Sequence, residues 1–209
     1  MSTIVIAFDG TAASGKGTVS KLVANKLNYD YLDTGILFRR LAFYSLKKRI
    51  DYTNEFVLCS KIKEINLTQL VCVEDLYTEK ISNIASHIAT FGCVRNILLN
   101  IQRKFVKNKK GAIINGRDIG TIVFPDAKFK FFFDANIKER AKRRFMQLQK
   151  MGKDVTLTGV LRHIRARDTR DKNRKTAPLI RAKDSLLIDT SILKINEILK
   201  IVFNKIECN

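Results

Sequence analysis

Residues 4–18 read IVIAFDGTAASGKGT, and this stretch sets the architecture of the chain. Its first five residues are apolar without interruption, which is typical of a strand that is covered on both faces. A glycine-rich turn follows, and residues 19–27 then have the pattern of a helix. A strand, a glycine-rich turn and a helix in this order predict a site for an anion, because backbone N–H groups and the helix dipole point to one place.

The turn from Gly10 to Thr18 contains the residue types that hold a nucleotide phosphate. Its glycines let the backbone curl so that successive N–H groups converge. Lys16 is placed to reach the β- and γ-phosphate oxygens of ATP, and the Thr18 hydroxyl to bind Mg²⁺. We therefore predict an ATP site, called the phosphate cradle below, that consists of Gly10, Thr11, Ala12, Ala13, Ser14, Gly15, Lys16, Gly17 and Thr18.

Outside the cradle, short apolar runs alternate with helical patterns. This alternation predicts right-handed crossovers and a parallel sheet with helices on both sides. Further strands are predicted at 112–114, 129–133 and 186–188, and further helices at 39–48, 94–106 and 192–202. The aromatic run at 129–133 is interpreted as core rather than as a platform for bases.

Charge and cysteine content indicate the setting of this 209-residue chain. It carries 39 Lys and Arg against 20 Asp and Glu, a net charge of +19, which favours polyanionic partners such as nucleic acid, anionic membrane or phosphorylated small molecules. Residues 138–183 hold 16 of the basic residues and 4 of the acidic ones. We interpret 138–144 as an outer helix that need not touch substrate. The four cysteines show no C-x-x-C spacing, so we expect reduced thiols in a cytoplasmic protein.

Polar and basic motifs beyond the cradle predict a second phosphate site. Residues 33–35 with Arg39 come just after the first helix, where the next strand should deliver them to the carboxyl edge of the sheet. Residues 115–118 follow the strand predicted at 112–114 and should lie at the same edge. Residues 167–174 form a dense basic cluster interrupted by two aspartates. Two phosphate sites favour a kinase over a switch protein, which needs one nucleotide only.

With these motifs in place, the chain resembles bacterial-type cytidylate kinases along nearly its whole length. The matching segments are DGTAASGKGT at 9–18, LDTG at 32–35, AS at 85–86, VR at 94–95, GRDIGT at 116–121, VFPDA at 123–127 and RDTRDKNR at 167–174. The resemblance implies a three-layer α/β P-loop kinase fold in a single domain of residues 1–209. It implies a small acceptor-binding insert at about 48–90 and a basic lid at about 152–178.

The resemblance also implies the reaction and the roles of individual residues. ATP would phosphorylate CMP or dCMP with Mg²⁺, and Lys16, Arg117 and Arg174 would be catalytic. The CMP site would consist of Thr34, Arg39, Ser86, Arg95, Asp118, Arg167, Asp171 and Arg174. Within this set Asp118 suits the cytosine amino group, because a carboxylate accepts a hydrogen bond from C N4. Arginine forks suit paired phosphate oxygens.

Three positions depart from the family pattern. Asn115 stands where an acidic residue usually helps to hold the Mg²⁺ hydration shell, Phe38 stands where Tyr is common, and Tyr77 replaces an Arg. The last two affect the acceptor side, so the choice among CMP, dCMP and UMP stays open. The insert is also expected to be shorter than usual.

Two other functions compete with a cytidylate kinase. One is a P-loop kinase for another small acceptor, and the other is a basic RNA- or ribosome-binding protein. The second predicts exposed aromatics between basic residues or a basic tail, and neither is evident in the sequence. We therefore expect nucleotides as partners, a monomer, and no binding to nucleic acid or membrane.

Overall fold

In the computed structural model, residues 3–65, 67 and 71–208 are described. The described strands are β1 (Ile4–Gly10), β2 (Asp30–Asp33), β3 (Gly111–Asn115), β4 (Phe129–Asp134) and β5 (Leu186–Asp189). They form one parallel sheet in the order β2-β3-β1-β4-β5. The predicted α/β architecture with a central parallel sheet is confirmed.

The helices surround this sheet and form the insert. The described α-helices are α1 (Lys16–Leu27), α2 (Thr34–Lys47), α3 (Glu55–Lys61), α4 (Val73–Leu76), α5 (Glu79–Ile88), α6 (Gly92–Phe105), α7 (Ile137–Lys150), α8 (Leu157–Asn173) and α9 (Ile195–Glu207). A π-helical turn spans Ile119–Val123. The helix predicted at 39–48 begins five residues earlier, because the Asp33 carboxylate accepts a hydrogen bond from the Gly35 N–H and caps α2.

Both faces of β1 are buried, as its unbroken apolar run predicts. Ile6 and Phe8 pack with α1 and α9 on one face, and Val5 and Ala7 pack on the other face with the segment after β3. Alternate side chains of a strand point to opposite faces, so this single strand supplies both cores of a three-layer sandwich. The aromatic run of β4 is core, since the Phe131 ring stacks on Phe8 at 5.1 Å.

The register of the sheet brings the polar motifs together. Asn115, the last residue of β3, pairs with Phe8 of β1 on one side and with Asp33 of β2 on the other. Gly10 pairs with Phe133 of β4. The segments that follow β1, β2 and β3 therefore leave the sheet at one edge, as the sequence predicted.

The insert is built on an apolar cluster of its own. Side chains of α2, α5 and α6 pack there with Leu58 of α3 and with Ile62 and Ile65. Residues 66 and 68–70, which belong to the insert expected at about 48–90, lie outside the described residues. The domain, insert and lid boundaries given above stay predictions.

The expectation of four reduced thiols is wrong for one pair. Cys59 of α3 and Cys93 of α6 are joined as a disulfide, with Cα atoms 6.3 Å apart. Their positions in sequence are 34 residues apart, so no local spacing pointed to the pair. Cys72 and Cys208 are free and exposed.

Within the described part of the chain, no single helix has both the length and the apolar composition to cross a membrane. Taken together, α5 and α6 would pass by length and composition only, and they are bent by 99° at their break.

Candidate active site

A cleft of about 1430 Å³ opens at the carboxyl edge of the sheet. It is lined by the cradle, by the starts of α1 and α2, and by α5, α7 and α8. Nearly all of the predicted site residues line it, from both the ATP set and the CMP set. Gly10 and Thr11 are the exceptions, and they connect the cradle to β4.

Gly10 permits the close approach of β1 to β4. A Cβ atom at this position would lie 2.0 Å from the Phe133 carbonyl oxygen. The φ of Gly10 is +145°, a value that other residues rarely adopt. The Thr11 N–H donates to the same carbonyl at 3.1 Å, and its hydroxyl donates to Asp134 at 2.8 Å. These contacts fix the start of the cradle.

The cradle itself curls around Lys16. Gly15 has a φ of 81° and Ala13 one of 58°, so the backbone turns tightly before α1 begins. The Lys16 ammonium is buried and donates to the Thr11 carbonyl at 3.4 Å. Burial first, and then the positive charge of Arg117, hold the pKa of Lys16 well below its usual range. A phosphate oxygen would relieve both effects, so the position favours an anion.

Opposite the cradle, two buried carboxylates lie among four arginines. Arg95 of α6 pairs with Asp118, and both side chains are buried. Asp171 of α8 accepts from Arg117 Nε at 3.0 Å. The remaining contacts are longer, with Arg167 at 3.7 Å from Asp171, and Arg174 at 3.8 Å from both Asp118 and Asp171.

This arginine–aspartate cluster carries more positive than negative charge. Burial opposes ionisation of Asp171, yet Arg117, Arg167 and Arg174 hold its pKa below the usual value. Burial, followed by neighbouring arginine charge, lowers the pKa of Arg167 and that of Arg174 to about 10. An anion bound here would offset the surplus charge, as the predicted acceptor site requires.

Thr34 and Arg39, two further predicted acceptor residues, also line the cleft, and both donate hydrogen bonds to other groups of the protein. The Thr34 hydroxyl donates to the Asn115 carbonyl at 2.9 Å. Arg39 donates to the Leu76 carbonyl and to Ser82 Oγ, at 3.1 and 2.6 Å. Its guanidinium lies over the ring of Tyr77, 4.6 Å from the centroid, and so the Tyr that replaces Arg stacks on a predicted phosphate ligand. Thr18 is exposed at the rim.

Sequence reasoning missed three arginines of α7. Arg140 is buried and donates to the Ala12 carbonyl of the cradle at 3.2 Å and to Asp168 of α8 at 2.7 Å. Arg143 and Arg144 line the cleft, donating to Thr190 and to the Tyr77 carbonyl. Residues 138–144, interpreted above as an outer helix that need not touch substrate, therefore include two residues that line the cleft and one that contacts the cradle. Their i, i+3 and i+4 spacing, which places them on one helix face, was the available signal.

Asp9, the penultimate residue of β1, holds the segment that carries Asp118. Its carboxylate accepts from the Ile119 N–H at 2.8 Å and from the Gly120 N–H at 2.7 Å. Burial nevertheless raises the pKa of Asp9 from 3.8 to about 6, against the lowering effect of those hydrogen bonds. The folded protein therefore binds a proton at Asp9 at a pH where the unfolded chain has lost it.

This shift predicts a pH dependence of stability. Because the pKa of Asp9 is raised in the folded state, its contribution to the free energy of unfolding is full below pH 3.8. That contribution is lost as the pH rises through about 6. Relative to Asp9→Asn, the wild type should lose roughly 3 kcal/mol of unfolding free energy between about pH 4 and 8. Urea unfolding across this range measures the difference. Asp126→Asn, at an exposed position, is the control for loss of a carboxylate. If the difference in unfolding free energy between the wild type and Asp9→Asn did not change with pH, the raised pKa of Asp9 would be contradicted.

A parallel sheet with a glycine-rich cradle after its first strand, and an arginine–aspartate cluster in the same cleft, has the architecture of P-loop kinases. Shikimate kinase from Bacteroides thetaiotaomicron has the same fold, with a TM-score of 0.52 at 12% identity over 98% of both chains. A protein of unassigned function from Eubacterium ventriosum gives a TM-score of 0.57 at 13% identity, over 99% of this chain and 100% of that one. At such identities these likenesses show the fold alone.

Sequence comparison identifies the family. The profile named Cytidylate kinase matches residues 6–208. A cytidylate kinase of Rickettsia felis is 44% identical over 97% of this chain and 91% of its own, and one of Clostridioides difficile is 40% identical over 99% of each. The chain belongs to the cytidylate kinase family. It is an ATP-dependent nucleoside monophosphate kinase that acts on CMP or dCMP.

Proposed function

We propose that this cleft carries out the family's reaction, with residues 10–18 binding ATP and the arginine–aspartate cluster binding CMP or dCMP. The observation that carries the proposal is that Lys16 and the cluster line the same cleft. A donor phosphate on the cradle would face an acceptor phosphate on the arginines. One chain supplies both halves of the cleft, which supports a monomer that acts on nucleotides.

The base would be recognised at the ion pair between Arg95 and Asp118. Asp118 accepts from the cytosine amino group, and the pairing with Arg95 holds its carboxylate in one orientation. Arg95 also donates to the Ala89 carbonyl at 3.1 Å, which fixes its guanidinium from behind. Ser86 serves the remaining polar edge of the base, while Arg167 and Asp171 hold the ribose.

Transfer of the γ-phosphate needs alignment and charge more than covalent chemistry. The acceptor phosphate is already a nucleophile, so the mechanism requires no general base. Lys16 neutralises the migrating group from the donor side, and Arg117 and Arg174 do so from the acceptor side. The α8 helix, which holds Arg167 and Asp171, forms part of the lid whose closure would exclude water. Thr34 and Arg39 bind the acceptor phosphate.

The residues near the cradle fit a Mg²⁺ ion, which Asn115 and Thr18 would hold and which would supply positive charge to offset that of the phosphates. The Oδ1 atom of Asn115 is buried and lacks a hydrogen-bond partner among the described residues. Such an oxygen suits a hard cation or its hydration water. The Thr18 hydroxyl is a further oxygen at the rim of the cleft.

We expect Asn115→Asp to preserve or raise activity when Mg²⁺ is limiting. The added charge strengthens attraction to the cation, and the Tyr31 hydroxyl, 3.4 Å from Asn115 Nδ2, is able to donate to a carboxylate instead. Titrating turnover against Mg²⁺ at saturating ATP and CMP measures the effect. A marked loss of activity at low Mg²⁺ would refute the role of this position.

A coupled ADP-release assay with CMP, dCMP, UMP or AMP as the acceptor tests the proposed function. We expect release with CMP or dCMP, at rates above those with UMP and AMP. If folded protein released no ADP in response to any acceptor, the kinase assignment would be wrong. If AMP were preferred, the base-contact roles of Ser86, Arg95 and Asp118 would fail, while the phosphate-binding roles would stand.

A further inference from the structure

A row of polar pairs joins α5 to α8, the helix of the predicted lid. On α5 the row consists of Glu79, Asn83 and Ser86, which share one helix face by their i, i+4 and i+7 spacing. On α8 it includes His163 and Arg170, seven residues apart. His163 Nδ1 lies 2.9 Å from Glu79 Oε2 at one end of the row.

Arg170 closes the other end of the row with two hydrogen bonds. Its Nε donates to Ser86 Oγ at 3.2 Å, and its Nη2 donates to Asn83 Oδ1 at 3.2 Å. The planar guanidinium can reach both oxygens at once only in one orientation. Asn83 therefore sets the direction from which Arg170 meets Ser86. Ser86 is buried with 3% of its surface exposed, so its hydroxyl has few alternative partners.

The hydrogen bond from Arg170 influences whether the Ser86 hydroxyl donates or accepts a hydrogen bond in the cleft. A hydroxyl has one hydrogen to donate and two lone pairs to accept with. Because Arg170 can only donate, it occupies a lone pair of Ser86 Oγ and leaves the hydrogen for another partner. Ser86 lines the same cleft as Asp118 and Arg95, and Arg170 reaches it through its hydrogen bond to Ser86. The Ser86 hydroxyl is thereby biased towards donation to whatever base lies there.

We propose that Arg170 is a positioning residue for base selection, acting through Ser86. Ring atom N3 of cytosine carries a lone pair and accepts a hydrogen bond, whereas N3 of uracil carries a hydrogen and cannot. A Ser86 hydroxyl held as a donor therefore favours cytosine over uracil. The inference rests on the proposed function, since it takes Ser86 as a contact to the base.

Replacing Arg170 by methionine removes both donors and keeps an unbranched side chain. We expect the KM for CMP to rise by about 3- to 10-fold, which is the loss of one hydrogen bond of ordinary strength. The KM for UMP should change by less than about 2-fold, because N3 of uracil cannot accept a hydrogen bond from Ser86 in either protein. The ratio of kcat/KM between CMP and UMP should fall accordingly, with the KM for ATP unchanged. Arg165→Met, which removes an exposed arginine from the same helix, is the matched control.

Three further variants separate the possible outcomes. In a Ser86→Ala background, Arg170→Met should have no additional effect on the CMP to UMP ratio, because the residue through which it acts is gone. Asn83→Ala should lower the ratio by a smaller factor than Arg170→Met. Arg170→Lys keeps the charge but cannot reproduce the fork, so it should restore little of the ratio.

The results distinguish this inference from the function on which it rests. If Ser86→Ala lowers the ratio and Arg170→Met does not, the role of Arg170 is overturned while Ser86 keeps its own. If Ser86→Ala leaves the ratio unchanged, both roles are overturned, although phosphorylation of CMP still stands by the ADP-release assay. Should Arg170→Met fail to fold, Asn83→Ala and Arg170→Lys decide the matter by the same ratio.

Discussion

Replacing Lys16 by alanine is expected to lower kcat by about 10²- to 10³-fold or more, enough to nearly abolish turnover. The ammonium is the only basic group within the cradle sequence, and it faces the cleft where the γ-phosphate would be transferred. Its charge stabilises the migrating group in the transition state, where the negative charge is spread over the equatorial oxygens. The KM for CMP should change less than kcat, because the acceptor is held by other residues.

The fold should tolerate this loss. Burial holds the pKa of Lys16 well below its usual range, which means that its surroundings in the protein disfavour the charged form. Removing the side chain relieves that cost, so the thermal midpoint of the free protein should not fall by more than a few degrees. Stabilisation by added ADP should be lost in Lys16→Ala, since fewer donors remain for the β-phosphate.

Lys200→Ala is the control for Lys16→Ala, because Lys200 is exposed on α9 and has no partner among the described residues. It should retain wild-type kcat and the wild-type response to ADP. A Lys16→Ala protein that kept more than about a tenth of wild-type kcat would contradict the role assigned to the cradle lysine.

Replacing Asp118 by asparagine is expected to have the second largest effect, a 10- to 100-fold fall in kcat/KM for CMP, or about 1.5–3 kcal/mol. In the proposed function the carboxylate accepts from the cytosine amino group, and a charged acceptor strengthens such a bond. An asparagine amide can rotate to present its NH₂ group to the uracil O4 oxygen, so activity with UMP should fall less or even rise. Parallel kcat/KM measurements with CMP and UMP test this exchange of preference.

Asp118→Asn must also be checked for folding, because Asp118 is the counter-ion of buried Arg95 and lies 3.8 Å from Arg174. Removing the partner of a buried charge commonly destabilises by about 3–5 kcal/mol, and the amide offsets part of this with its own acceptor. Comparison should therefore be made below the thermal midpoint of the variant. Asp126→Asn is the control, since Asp126 lies nearby in sequence and is exposed. An equal loss of activity with CMP and UMP would contradict base recognition by Asp118.

Much of the site could be predicted from sequence because its parts follow strands. The cradle is continuous in sequence, so its residues and their order imply its shape. The segments that begin at Asp33 and at Asn115 follow β2 and β3, and parallel strands deliver their carboxyl ends to one edge. The alternation of strands and helices therefore predicts that these motifs lie at one edge of the sheet.

The contacts of individual side chains could not be predicted in this way. Nothing local marks the approach of Arg140 to the Ala12 carbonyl or of Arg170 to Ser86, because each pair is separated by more than 80 residues. The disulfide between Cys59 and Cys93 depends likewise on the packing of α3 against α6. Such pairs depend on how helices cross, which helical periodicity alone does not specify.

The sequence by itself determined the phosphate cradle, the parallel sheet and the kinase family. Each of these depends on residues that are contiguous or that recur with the period of a strand or helix. The tertiary structure alone decided how the surplus of positive charge is arranged. Burial and neighbouring arginines lower the pKa of Lys16, Arg167 and Arg174. Arg95 pairs with Asp118, Arg117 pairs with Asp171, and Arg174 lies at the same distance from both aspartates. These effects arise from desolvation and from distances between charges, and neither exists until the chain has folded.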